Sequence, residues 1–195
     1  VSKIVVIIGD PRKQGFNKAL AHRYAKEMQE MDHQVELFDL HEMNFEIDMA
    51  LGYQTKRSKE ILHLEKAVER ADLLVISFPV WWYNVPAKLK GLVDQLFWIG
   101  KAYSFHKKKF LFNGPWRGKK ARLIYTLGGT ELQHRLFGWS AYRAMRYPLW
   151  ISGILSVKRS AIGSLDLPIR KSDNDYFAKI KKAAQSDHHR LRTHS

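Results

Sequence analysis

The sequence contains no cysteine, which excludes disulfides, a thiolate nucleophile and thiolate metal sites, and accords with a reducing compartment. Any redox chemistry has to be borrowed from a cofactor. No apolar run reaches the roughly 18 residues that a membrane-spanning helix needs. The first residues open directly into a strand-like stretch rather than a cleavable leader, so the expected location is cytoplasmic. The histidines show no H-E-x-x-H or comparable ligand spacing, and no metal site is expected. Neither G-x-G-x-x-G nor G-x-x-x-x-G-K-[ST] occurs, which disfavours a Rossmann dinucleotide site and a P-loop. No block of like charge is long enough to mark a nucleic-acid arm, and no nucleic-acid partner is expected.

What is present is a chain of 195 residues, 45% of them hydrophobic, enough to close one full core and too short to divide comfortably into two. The expectation is a single domain over 1–195, with 185–195 as a flexible basic tail. A formal net charge of +14 favours phosphate-rich ligands or an anionic surface. Its cations gather at Arg12 to Lys18, Lys101 to Lys120, Arg135 to Arg159 and Lys179 to Arg192. Outside a site they read as solvated surface.

Lys3 to Gly9, K-I-V-V-I-I-G, is the continuous β-branched run of a strand buried on both faces of a parallel sheet. Phe16 to Met31 carries apolar residues at helical spacing, and Gln34 to Leu40 returns to a strand. Met43 to Lys56 reads as a surface connection. Ser58 is placed to cap a helix running toward Arg70. Ala71 to Phe78 is a second doubly buried strand, and Pro86 suits the start of a helix through Phe97. Residues 99 to 120 form a segment longer than most loops, as lids and binding loops often are. Strand Ala121 to Leu127, an aromatic-rich helix from Leu136 to Trp150, strand Ile154 to Ile162 and a helix from Asp173 to His188 complete the chain. Five strands alternating with helices predict an α/β fold with a parallel sheet and helices on both faces. Ligands of such folds sit outside the carboxyl ends of the strands at the switch point. The loops to watch are Asp10 to Asn17, Pro79 to Val85 and Gly128 to His134.

The first of these joins a buried strand to a helix start, where unpaired N–H groups beside Gly15, with Arg12, Lys13 and Lys18, suit a phosphate monoester. An ordinary strand-to-helix turn is the alternative. The second carries Trp81, Trp82 and Tyr83 in succession. All three cannot point inward, so they face a planar ligand or pack the sheet top or an oligomer interface.

The string from Ala71 through Phe97, centred on Phe78-Pro79-Val80-Trp81-Trp82-Tyr83-Asn84-Val85-Pro86-Ala87, resembles the flavin-ring loop of the NAD(P)H:quinone oxidoreductase family. That flavodoxin-like family includes DT-diaphorase and the ancillary reductases of potassium-efflux systems. Gly15-Phe16-Asn17 resembles its phosphate turn, and Thr126-Leu127-Gly128-Gly129 its fourth strand and flavin-edge glycines. The resemblance implies a flavodoxin-like three-layer sandwich with strand order 2-1-3-4-5. It implies FMN or FAD as cofactor, FMN being favoured because the chain lacks the extended C-terminal region of the larger animal members. It also implies NADPH or NADH as donor and a homodimer.

On this reading Gly15, Phe16, Asn17 and Lys18 hold the flavin phosphate. Pro79, Val80, Trp81, Trp82 and Tyr83 line one edge of the ring with backbone N–H groups, stabilising the charge that develops on reduction. Thr126 belongs to the same wall, and Gly128 and Gly129 let backbone approach the ring closely. Dinucleotide and quinone use one ring face in turn, which gives ping-pong kinetics.

The chain departs from the family's pattern at Asp10, where His or Ser is common, at Gly15, where Ser is usual, and at His134, where a tyrosine is common. The histidine that partners that tyrosine in the animal enzymes falls near Ser140. His134 is a candidate proton donor to the acceptor, with Tyr83 beside it as orienter, and a solvated loop histidine is its alternative. Trp116, Phe137, Trp139 and Trp150 are candidates for the dimer contact, with buried core as their alternative. A second functional reading docks the body on a membrane transporter through Lys179, Lys181, Lys182, Arg190 and Arg192, with catalysis incidental.

Overall fold

The computed structural model describes residues 1–103 and 114–193. Most of the segment expected to form a lid, 104–113, lies outside the described residues, as do the last two positions of the tail. Five parallel strands stand in the order β2-β1-β3-β4-β5, namely β1 Lys3–Ile8, β2 Gln34–Asp39, β3 Leu73–Pro79, β4 Lys120–Thr126 and β5 Ser156–Ile162. Between and after them run α1 Phe16–Gln29, α2 Lys59–Arg70, α3 Ala87–Leu96, α4 Glu131–Leu136, α5 Ser140–Ile151 and α6 Asp173–Arg192. This is the expected flavodoxin-like arrangement.

The three inner strands are buried along their length because both faces are covered. Ile4, Val6 and Ile8 point to one layer with Leu20 and Tyr24 of α1 and Ile180 of α6. Val5 and Ile7 point to the other, with Ile61 and Leu64 of α2, Leu89 and Leu92 of α3 and Met145 and Leu149 of α5. Each such aliphatic residue contributes about 1.5–3 kcal/mol on burial, so no single contact sets the fold. Ser58 caps α2 as expected, its hydroxyl accepting from the Ile61 N–H at 3.3 Å.

Three expectations are corrected. The helix expected from Leu136 to Trp150 begins only at Ser140, as α5, and Leu136 instead closes the short helix α4, because Gly138 and Trp139 take φ of 73° and 52° in a left-handed turn between them. Trp116 is core rather than interface, 1% exposed against Phe97. The basic C-terminus is no tail up to Thr193: α6 runs on to Arg192, and Asp187 is fully buried. There Asp187 accepts from the Tyr24 hydroxyl at 2.7 Å, pairs with Arg122 of β4 and is held by Arg190 at 2.8 Å. A carboxylate costs too much to bury without such partners. Lys179 is likewise tied to Glu131 and to the Ala161 carbonyl, and Lys181 pairs with Glu27 at 3.8 Å, so three of the cations invoked for docking have partners in the body.

Between the end of α1 and α6, His33 accepts the Ser2 N–H at Nδ1, 3.2 Å away. That acceptance places its proton on Nε2, which donates to His188 Nδ1 at 2.9 Å. Burial, and the repulsion a second positive charge at His188 would bring, push the His33 pKa below its ordinary value. Unfolded, the imidazole takes up a proton as pH falls through about 6.5; folded, it resists. Stability is therefore complete above that pH and declines below it. Urea denaturation at pH 7.5 and pH 5.5 should give a lower midpoint at pH 5.5, and His33→Gln should shrink the difference between the two.

Candidate functional site

Strand order reverses between β1 and β3, and the carboxyl ends of β1, β3 and β4 lie side by side at one edge of the sheet, the edge at which ligands of open α/β sheets bind. A buried polar triangle ties these ends together. The Asn17 side chain donates to the Thr126 hydroxyl at 2.6 Å. The Ser77 hydroxyl lies 3.2 Å from the Asn17 carbonyl and 3.3 Å from its Oδ1. Asn17 and Ser77 are fully buried and Thr126 nearly so, so each polar atom needs its partner. Gly9 adds an N–H to the Ser77 carbonyl at 2.6 Å. The Asn17 side chain is thus occupied within the fold.

The loop between β1 and α1 ends on Gly15, in extended backbone at φ −172°, and no side chain caps the first-turn N–H groups of α1. That leaves donors for an anion. Phe16 packs on Tyr176 and Phe177, under Arg170. Lys18 is bound by Asp39 at 2.5 Å and by the Lys13 carbonyl at 2.9 Å, so its charge is already met. Asp10, fully buried, receives Arg12 through Nε at 2.9 Å and Nη2 at 2.8 Å. This bond to the carboxylate lifts the arginine pKa above its ordinary value. The guanidinium carbon stands 5.7 Å from the centre of the Trp81 ring.

The tryptophan segment is a four-residue hairpin tip. Trp81 and Asn84 exchange both backbone hydrogen bonds at 2.9 Å. Trp82 and Tyr83 occupy the two central positions with φ of 48° and 60°, the conformation of a type I′ turn, which Asn-Gly adopts without strain. The backbone conformation costs on the order of 1–2 kcal/mol per such residue. It leaves Trp82 97% exposed. The donors expected along Pro79 to Tyr83 are reduced by this geometry: Pro79 has no N–H, Val80 donates to the Thr126 carbonyl and Trp81 to Asn84. Trp82 and Tyr83 keep theirs among the described residues. Ser140, at the start of α5, donates to the Tyr83 carbonyl and fixes the tip.

A cleft of about 450 Å³ lies beside this tip, walled by Val80, Trp82 and Tyr83 on one side and Gly128, Gly129 and His134 on the other. The glycines face neighbouring side chains rather than open space: a methyl group on Gly128 would fall on the Asp166 carboxylate, and one on Gly129 would meet Gln133 Oε1 at 2.6 Å. Asp166 and Gln133 are site residues that the sequence reading missed. Gln133 could have been found as the glutamine of a T-x-x-Q capping box, three residues after Thr130. Asp166 lies on the loop after β5, which a search of the loops after strands one, three and four leaves out.

His134 is buried, at 2% exposure, on α4, not in a solvated loop. Its ring lies parallel to that of Tyr83 at 6.4 Å and 5.6 Å from that of Tyr125. Tyr83 therefore orients it by stacking, without a hydrogen bond. Neither ring nitrogen finds a partner among the described residues. Burial, aided by the positive charge of Arg159, holds its pKa below the ordinary value, so at neutral pH it is an uncharged imidazole with one N–H. The Tyr125 phenol is pushed up to about 12, chiefly by burial. No group of three or more potential metal ligands occurs among the described residues.

These features fit a flat, phosphate-tailed molecule at its ring end: an open cleft, two free turn N–H groups and an unpartnered buried imidazole. At the tail end the uncapped first turn of α1 supplies donors.

A profile of the flavodoxin-like fold matches residues 2–186. NAD(P)H dehydrogenase [quinone] 1 of Cavia porcellus is 31% identical over 158 residues, covering 70% of this chain and 57% of that protein. The chain thus aligns with little more than half the length of that curated relative. Among solved structures, the NAD(P)H:quinone oxidoreductase of Methanothermobacter marburgensis superposes with a TM-score of 0.75 at 21% identity, covering 95% of this chain and 98% of that one. An FMN-dependent NADH-azoreductase of Bacillus anthracis, solved in complex with FMN, gives 0.72 at 13% identity over 98% and 99%. At these identities the two structures speak to the fold alone.

Asn17→Ala would leave the Thr126 hydroxyl buried without its donor and the Ser77 hydroxyl with the main-chain carbonyl of residue 17 alone. A loss of about 1–3 kcal/mol is expected, read as a lower denaturation midpoint at unchanged slope.

Proposed function

The chain belongs to the flavodoxin-like fold family, and from that premise we propose that it is a flavin-dependent oxidoreductase that carries reducing equivalents from NAD(P)H to a quinone or similar flat electrophile. The observation that carries this reading is the cleft beyond the carboxyl ends of β3 and β4, lined by an aromatic tip with two N–H groups and an imidazole that have no partner among the described residues. The quinone reductase named among its relatives supports the acceptor class. FMN is the preferred cofactor and FAD the alternative. When bound, it would supply the hydride acceptance and redelivery that a chain without cysteine cannot.

The protein's own residues bind and orient. The Trp82 and Tyr83 N–H groups would offer hydrogen bonds to a flavin ring, stabilising the negative charge that develops on it. The Tyr83 ring, steadied by Ser140 and by Phe137 at 4.7 Å, sets the plane. Neutral His134 holds a proton on one ring nitrogen and offers it as a hydrogen bond to the acceptor oxygen. Donor and acceptor occupy the same space in turn, the basis of ping-pong kinetics. Assembly as a homodimer is part of the proposal, since Trp82, Leu136 and Phe137 stand exposed around the cleft mouth and large exposed apolar patches mark contact surfaces.

Two outcomes test this. Protein reconstituted with excess FMN or FAD and freed of unbound ligand should keep the visible absorption of a flavin, releasable on denaturation; a colourless protein after both trials sinks the proposal. In stopped-flow experiments on the loaded protein, His134→Leu should slow quinone reduction by about 100-fold, the scale of a lost hydrogen-bond donor to a developing oxyanion, while flavin reduction by NAD(P)H changes little. Equal slowing of both half-reactions would remove His134 from the acceptor step.

A further inference from the structure

The tail end of the site carries a feature that the ring end does not explain. Asp10 is fully buried at the end of β1, and its Oδ2 fills the volume directly above the Gly15 α-carbon, so a methyl group at that position would fall on the carboxylate. Gly15 is the residue from which the uncapped turn of α1 opens. An anion arriving at those N–H groups therefore meets a carboxylate oxygen at its flank.

The cations that would attract that anion are also spent. Arg12 gives two side-chain hydrogen bonds and its backbone N–H to Asp10, and Lys18 is paired with Asp39. Of the loop's three cations only Lys13 has no ion pair among the described residues. A turn whose charge is met from within gains little from a phosphate dianion, and like charges a few ångströms apart repel when only partly screened.

We propose that Asp10 is the residue that sets this site's selectivity between flavins with and without a terminal phosphate: its carboxylate stands against Gly15 beside the α1 turn and holds Arg12 in an ion pair. The inference rests on the flavin reading above and deepens it. The native site selects on the ring and gives FMN no advantage over riboflavin. Gly15 is required by the same contact, since only a residue without a side chain leaves room for the carboxylate.

The test is a pair of titrations on the apoprotein, with FMN and riboflavin as probes and quenching of flavin fluorescence as readout. The wild type should bind the two within about 3-fold of each other. Asp10→Asn removes the charge, keeps the shape and frees Arg12; it should tighten FMN binding by about 10-fold or more and leave riboflavin within about 2-fold, the difference expected when one nearby like charge is removed. Asp10→Ser, smaller and uncharged, guards against misfolding of the first variant and should shift FMN in the same direction. Unchanged or weakened FMN binding in both variants, with riboflavin still bound, overturns this inference and leaves the flavin reading standing. Failure of either flavin to bind any of the three proteins overturns both.

Discussion

One buried side chain, Asn17, holds the site together. Its amide reaches Thr126 at the end of β4 while its acceptors meet Ser77 on β3. Three segments distant in sequence are thereby fixed in one plane at the sheet's carboxyl edge. None of these groups can exchange its partner for water, because none is reached by it. The height of the α1 turn above the sheet, the start of the tryptophan tip and the line of the Gly128–Gly129 edge follow from that one arrangement.

The two ends of the site then differ in electrostatic character. Around the tip, donors and an uncharged imidazole stand without partners in a space bounded by aromatic rings. Around the α1 turn, almost every charge has been answered by another of the same chain. In a protein with formal charge +14, two of the three cations at the helix start are thus already paired with carboxylates of the same chain. Net charge is a poor guide to local potential once ion pairs are counted.

The sheet was legible because β-branched runs such as Lys3 to Gly9 and Ala71 to Phe78 have few other stable placements, and helical spacing marked α1 and α2. What escaped were features fixed by tertiary contact. The break at Gly138 and Trp139 lay inside an apolar stretch whose periodicity continued across it. The burial of Asp187 depended on Arg122 and Tyr24, far away in sequence, and a charged C-terminus without its partners reads as solvent-exposed. The site's aromatic tip was visible as composition, yet its backbone was not, since nothing in Trp-Trp-Tyr-Asn announces a turn that glycine and asparagine prefer. Asp166 entered the site from a loop that the switch-point rule does not single out.

That tip sets folding against use at a single pair of positions. Replacing Trp82-Tyr83 with Asn-Gly would relieve backbone strain at both, and in a directed-evolution campaign selected only on heat resistance such changes would rise quickly. The survivors would have a more comfortable hairpin and a blank wall where the aromatic surface stood. Laboratory selection on this scaffold therefore needs ligand retention scored alongside melting temperature, because here the two phenotypes pull the same codons in opposite directions.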